Sequence, residues 1–168
     1  VERINIFGNF ITEEKVIRNA LIVDEGDAFN EVLLDKSINS IKSRGIFKKV
    51  ESKIKASKTD NQKKVIDILV EEMPTGEVYA GAGTGTSGAT FTAGIQEKNY
   101  LGKGIKLGTN ILISEDEIKG KFSIINPNFK NTDRSFNTTL ESTSSDFLST
   151  GGFKTSRTGF SLGTGFEQ

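Results

Sequence analysis

Glu77-Val78-Tyr79-Ala80-Gly81-Ala82-Gly83-Thr84-Gly85 sets Val78, Ala80 and Ala82 on one face of an extended chain and Gly81, Gly83 and Gly85 on the other, because successive strand side chains point to opposite sides. The same period of two continues downstream. Phe91-Ala93-Ile95, Ile105-Leu107-Thr109-Ile111-Ile113, Ile118-Gly120-Phe122-Ile124, Phe136-Thr138-Leu140 and Phe160-Leu162-Thr164-Phe166 each share a face, with Gly, Ser, Thr, Asn, Gln, Lys and Glu opposite. The segments are close to the roughly 9–11 residues that a tilted membrane strand needs. Breaks at Thr86-Ser87-Gly88, Leu101–Gly104, Glu115-Asp116, Asn126–Asp133 and Ser144–Gly152 separate them. Six strands joined in this way predict an antiparallel meander, and the alternation alone suits a soluble sandwich as well as a transmembrane barrel.

Upstream of this stretch the chain has a different texture. Of the 18 glycines in 168 residues, only Gly8, Gly26 and Gly45 precede Thr75. Residues 1–75 hold 13 acidic and 13 basic side chains, against 9 and 9 in residues 76–168. Met73-Pro74-Thr75-Gly76 punctuates the boundary, since Pro and Gly both interrupt regular structure. We therefore expect two domains, 1–75 and 76–168, joined by a tight connection.

The first domain reads β-α-α-β-β. Arg3–Phe7 alternates and closes on Gly8-Asn9, a turn signal. Thr12 is placed to cap a helix whose Val16, Ile17, Ala20 and Leu21 form a stripe. Asn30 caps a second helix, with Leu34, Ile38 and Ile41 on one face and Gly45 in the C′ position. Two strands follow, Lys49–Ala56 and Lys64–Glu72, with Asn61-Gln62 turning between them. The row Lys49, Glu51, Lys53 and Lys55 keeps the first of them soluble, as charges on a sheet edge do.

Composition closes off several chemistries. With no Cys and no His, thiolate and imidazole metal sites, Cys nucleophiles and the Ser-His-Asp triad cannot be built. Twenty-two basic residues balance twenty-two acidic ones, which gives no support to nucleic-acid binding. Gly83-Thr84-Gly85-Thr86-Ser87-Gly88 matches G-x-G-x-x-G letter for letter. That fingerprint works only where a helix follows, and Ala89–Gln96 alternates as a strand, so a glycine-rich hairpin is the plainer reading. Glu115-Asp116-Glu117 lacks calcium-loop spacing and reads as a solvated turn. Arg18 and Arg44 read as solvent-facing or structural. No cofactor, no metal and no enzymatic activity are expected. No stretch approaches the roughly 18 apolar residues of a membrane helix, and residues 1–20 lack a signal-peptide core. A chain beginning at Val1 is expected to be mature protein or a fragment.

Three glycines on one face of one strand cost stability and packing. Two explanations compete: close backbone packing within a barrel, or a strand built to pair weakly and slip.

The order β-α-α-β-β, with Gly8-Asn9 after the first strand and Arg44-Gly45-Ile46-Phe47-x-x-Val50 leading into the second, resembles a POTRA domain. The stretch that follows resembles the start of the barrel in the BamA family of outer-membrane β-barrel assembly factors. Asn99-Tyr100-Leu101-Gly102 and Asn126-Pro127-Asn128-Phe129 sit where that family has an Asn-aromatic-Leu-Gly turn and an Asn-Pro-aromatic-Phe segment; Asn128 departs from the pattern. The resemblance implies a membrane-proximal α+β POTRA domain in the periplasm. About six of some sixteen transmembrane barrel strands would follow it in the bacterial outer membrane. It implies assembly and insertion of barrel proteins, with unfolded outer-membrane proteins, accessory lipoproteins, periplasmic chaperones and the lipid bilayer as partners. Glu77–Gly85 would be the lateral seam that templates a client strand, and the edge Lys49-Val50-Glu51-Ser52-Lys53-Ile54-Lys55-Ala56 would receive unfolded clients. POTRA-barrel transporters of the two-partner secretion or autotransporter-assembly type share the architecture. Six strands cannot close a barrel, so residues 76–168 are expected to belong to a longer chain.

Overall fold

A computed structural model describes residues 1–58, 60, 62–85, 88–148 and 151–166. The described chain forms two compact units, Val1–Thr75 together with Leu101–Gly104, and Gly76–Tyr100 together with the residues from Ile105 onward.

The first unit contains β1 (Arg3–Phe7), α1 (Glu14–Arg18), α2 (Glu31–Ser43), β2 (Phe47–Ala56) and β3 (Lys64–Glu72). The sheet order is β1-β3-β2, with β1 parallel and β2 antiparallel to β3. A parallel β1–β3 pair needs a crossover, and the helices supply it. Leu34, Ile38 and Ile41 are buried with Ile4, Val50, Ile66, Ile68 and Val70, so the helical stripe and the alternating strand faces make one core. Asn30 caps α2, its side chain accepting the Leu33 N–H at 3.2 Å. Gly45 ends that helix with φ +67°.

The first helix differs from expectation. It spans only five residues, its N-cap is Glu13, and no side chain caps it. Thr12 is instead buried, because the carboxylate of Glu72 draws in the backbone of this loop. Ala20 still reaches the core, although it lies beyond the end of the helix. The strand β2 begins earlier than Lys49 and carries an irregularity between Phe47 and Lys49. Asn61, proposed for the turn after it, lies outside the described residues.

The second unit is one antiparallel sheet in sequence order: β4 (Gly76–Gly85), β5 (Gly88–Tyr100), β6 (Ile105–Ser114), β7 (Glu117–Asn126), β8 (Arg134–Phe147) and β9 (Phe153–Phe166). Register aligns the apolar residues across strands. Ala82 faces Phe91, Phe91 faces Ile113, Ile113 faces Ile118, Phe122 faces Leu140, and Leu140 faces Phe160. All of these large side chains are exposed or only half-buried. A continuous exposed apolar face opposite a polar one is the pattern of a membrane-facing barrel wall. The sheet is open, with β4 and β9 at its edges.

The last connection is shorter than expected. Ser144–Phe147 continue β8, and Phe153 opens β9. Cross-strand partners such as Ser142 and Thr158, whose hydroxyls lie 3.3 Å apart, extend the ladder past the apolar band. Asn128 ties its own turn together: its N–H donates to Asn126 Oδ1 and its Nδ2 to the Thr132 carbonyl. Thr86 and Ser87, expected from the sequence to turn between the first two strands of this unit, lie outside the described residues. Gly88 nevertheless opens a strand and not a helix, so the dinucleotide fingerprint lacks the element it requires.

Candidate functional site: two edge strands and their clasps

Edge strands expose one row of backbone N–H and C=O groups, which makes them templates for another chain. Two such strands coincide with the stretches singled out in the sequence.

In the six-stranded sheet, β4 pairs only with β5, in unbroken register from Gly76 opposite Glu97 to Gly85 opposite Gly88. Every residue of β4 is exposed. Gly81 and Gly83 stand opposite Thr92 and Thr90. A Cβ added to either would come 3.3 or 3.4 Å from a threonine Oγ1, and one on Gly85 would meet nothing. None of the three has a positive φ. Among the described residues, then, no close backbone approach or left-handed geometry demands glycine on this face. On the side of β5, close backbone packing does not call for glycine at these three positions. Each glycine within a strand forfeits roughly 0.5–1 kcal/mol relative to alanine.

The beginning of β4 is different. The Lys98 ammonium donates to the Glu77 carboxylate at 2.5 Å. Tyr79 stands opposite Gly94, where a Cβ would overlap the Tyr79 ring and lie 2.7 Å from the Thr109 carbonyl oxygen. So the side-chain contacts across the β4–β5 pair are larger near Glu77 and Tyr79 than from Gly81 onward, where the Thr90 hydroxyl donates to the Gly83 carbonyl at 3.3 Å. The Tyr79–Gly94 pair was missed in the sequence. A turn expected at Thr86-Ser87-Gly88 makes the numbers of opposed residues sum to 173, as those of Gly85 and Gly88 do, and that arithmetic would have found it.

In the three-stranded sheet, β2 lies at one edge. Its face toward the helices buries Val50, while Ile54 on the same face is exposed. Lys49 and Glu51 pair at 2.8 Å; the hydrogen bond between them raises the Lys49 pKa and lowers that of Glu51. Lys48 pairs with Glu71 at 2.7 Å and Lys55 with Asp67 at 2.5 Å. Asp67 also accepts the Asn5 amide at 2.8 Å, and the Asn5 and Lys55 hydrogen bonds hold its carboxyl below the usual range. An open groove beside the strand is lined by Lys42 and the residues from Phe47 to Glu51.

A third feature was absent from the sequence reading. The Glu72 carboxylate accepts the backbone N–H groups of Phe10, Ile11 and Thr12, at 3.0, 3.0 and 2.7 Å. Burial pushes its pKa up, and the Thr12 hydroxyl with these three amides more than offsets that, leaving it lowered. Gly8, with φ +93°, lets this loop leave β1 where a Cβ would strike the Val70 carbonyl. Beside it, the Gly102 carbonyl accepts the Glu13 N–H at 2.8 Å. A Cβ at Gly102 would collide with the Ile11 carbonyl, and its φ of +70° also favours glycine. Arg18 is structural, donating to Glu14 and to the Ile4 carbonyl.

Comparison with known proteins agrees with this architecture. The POTRA family model, described as surface antigen variable number repeat, matches residues 1–73. The chain is 30% identical over 113 residues to the outer membrane protein assembly factor BamA of Buchnera aphidicola subsp. Acyrthosiphon pisum, covering 67% of this chain and 18% of that protein. A putative outer membrane protein assembly factor of Treponema pallidum is 27% identical over 125 residues, 69% of this chain and 14% of its own length. The chain thus spans less than a fifth of these relatives. Among solved structures, BamA from Haemophilus ducreyi lacking POTRA domains 1–3 superposes with a TM-score of 0.78 at 24% identity, over 86% of this chain and 27% of that one. CdiB from Acinetobacter baumannii superposes with a TM-score of 0.61 at 14% identity, over 96% of this chain and 32% of that one.

Proposed function

Since the chain is a BamA-like protein of the POTRA-barrel outer-membrane family, we propose that it forms part of a machine that assembles and inserts β-barrel proteins into the bacterial outer membrane. In this reading β4 is the lateral seam, and its POTRA domain faces the periplasm. The observation that carries it is the edge position of β4, together with a Gly81-Gly83-Gly85 face that no steric constraint in the described structure requires.

The mechanism follows from what hydrocarbon does to bare backbone. An unsatisfied N–H or C=O in the bilayer costs several kcal/mol. A seam that opens along β4 is therefore a strong template for any strand that can complete it, and a client strand enters by β-augmentation. The glycines lower the cost of opening by roughly 2 kcal/mol in total, at 0.5–1 kcal/mol each. The exposed apolar face of β4–β9 meets lipid and the opposite face meets the lumen. In the periplasm, the β2 edge from Lys49 to Ala56 offers unfolded clients a second pairing site, and accessory lipoproteins and chaperones deliver or hold them. Client release and insertion draw on folding free energy, with no cofactor and no covalent step.

Cysteines placed singly from Glu77 to Gly85 of the full-length protein, and in the terminal strand of a client, test this reading. Disulfides are expected during assembly and not after client release. A second reading that shares the POTRA-barrel fold, a transporter of the two-partner secretion type, passes soluble substrate and forms no such disulfides.

A further inference from the structure

We infer that Tyr79 is a positioning residue that fixes the register of the seam strand by covering Gly94, an inference that rests on reading β4 as the strand that meets clients. A templating strand must present a defined register, because a one-residue slip turns every side chain to the wrong face and a two-residue slip moves the template along the client. From Ala80 to Gly85, β4 is alanine, glycine and threonine, which interlock with little. The apolar partners Val78–Ile95 and Ala82–Phe91 lie on the exposed face, and in lipid that face gains nothing from mutual burial. Glu77 and Lys98 are an exposed ion pair on flexible stems, a contact of small worth.

Among the described residues of β4, Tyr79 makes the contact most specific to one register; the one further register-dependent bond, from the Thr90 hydroxyl to the Gly83 carbonyl, is long at 3.3 Å and exposed. Its ring lies where a Cβ of Gly94 would be, and the Thr109 carbonyl closes the site from the other neighbouring strand. A shift of two in either direction sets Tyr79 opposite Gln96 or Thr92, which carry side chains in that space. An aromatic ring over a cross-strand glycine is a known way to pin register. Glycines at 83, 85 and 88 let the hairpin turn re-form one step away, so among the described residues no other side-chain contact of comparable size holds β4 in register.

These 168 residues contain no cysteine, so with any cysteine elsewhere in the full-length protein replaced by serine, register is readable by disulfide formation in membranes, with no client present. Gly83→Cys with Thr90→Cys reports the native register, and Gly83→Cys with Thr92→Cys reports a shift of two. Directly opposed Cβ atoms suit a disulfide, while diagonal ones at about 7 Å do not. Ala93→Cys with Ile111→Cys, opposed across β5 and β6, reports the rest of the sheet. In Tyr79→Ala and Tyr79→Leu the native yield is expected to fall at least threefold and the shifted yield to rise, with the β5–β6 pair unchanged and Tyr79→Phe like wild type. An unchanged native yield in Tyr79→Ala overturns the inference. So does loss of the β5–β6 pair together with the native pair, since the contact would then hold the sheet and not its register. Client crosslinking to residues 77–85 is scored separately: its absence overturns the templating reading and leaves the register lock standing.

Discussion

The carboxylate of Glu72, the last residue of β3, accepts the Thr12 amide at 2.7 Å, joining the end of the POTRA sheet to the loop before α1. Phe10 and Ile11 donate to the same group, so one side chain satisfies three loop amides. Glu72 also stands two residues before Pro74, where the chain leaves for β4. Replacing Glu72 by Ala is expected to cost about 1 kcal/mol, the net worth of an ordinary hydrogen bond, because the exposed Phe10 and Ile11 amides can turn to water and only the Thr12 amide is partly buried. Hydrogen exchange at Phe10, Ile11 and Thr12 should accelerate well before that of Ile66 and Ile68. Uniform acceleration across the domain would contradict a local clasp.

The same clasp carries a pH dependence. Glu72 and Asp67 both have lowered pKa values in the folded domain, against ordinary values of 4.5 and 3.8. A carboxylate depressed on folding contributes stability that is fully present above its unfolded pKa and is lost as pH falls through the folded one. The POTRA domain is therefore expected to lose stability below about pH 4.5, and Glu72→Gln should flatten part of that loss. Denaturation midpoints of wild type and variant between pH 7 and pH 3 measure it, and parallel curves would remove Glu72 as a contributor.

Substituting Gly81 and Gly83 together by Val should tighten the seam. A Cβ added at either position meets only a Thr92 or Thr90 hydroxyl at 3.3–3.4 Å, which can rotate aside, and valine favours strands on a scale of about 1 kcal/mol. Client insertion is expected to slow several-fold while folding of the protein itself is unimpaired. Insertion at the wild-type rate would mean that the glycines do not set the ease of opening.

On the POTRA domain, a photocrosslinking residue at Lys53 of β2 is expected to capture unfolded clients, while one at Asp35, exposed on α2, should not. Equal capture at both sites would point to nonspecific contact and not to edge pairing.

Much of this architecture was legible in the sequence, because alternation and helical stripes report which side chains a fold must bury or turn to lipid. β1 and β3 match to the residue, and the apolar faces of all six later strands align as read. What escaped depends on long-range geometry. The Glu72 clasp joins residues sixty apart, and nothing local to Thr12 signals that its amide is taken by a distant carboxylate in place of a helix cap. Polar strand ends defeated the boundary at Ser144, since serine and threonine serve a cross-strand ladder as readily as a loop. The Tyr79–Gly94 pair needed the hairpin register, which a residue-by-residue reading does not supply.

The most direct measurement is the crosslinking scan along β4 during client assembly. Single cysteines from Glu77 to Gly85 are expected to form disulfides with the client's terminal strand in an alternating pattern, appearing as assembly begins and vanishing as the client is released. No adduct at any of the nine positions, with clients still inserted normally, would contradict the seam as the site of templating.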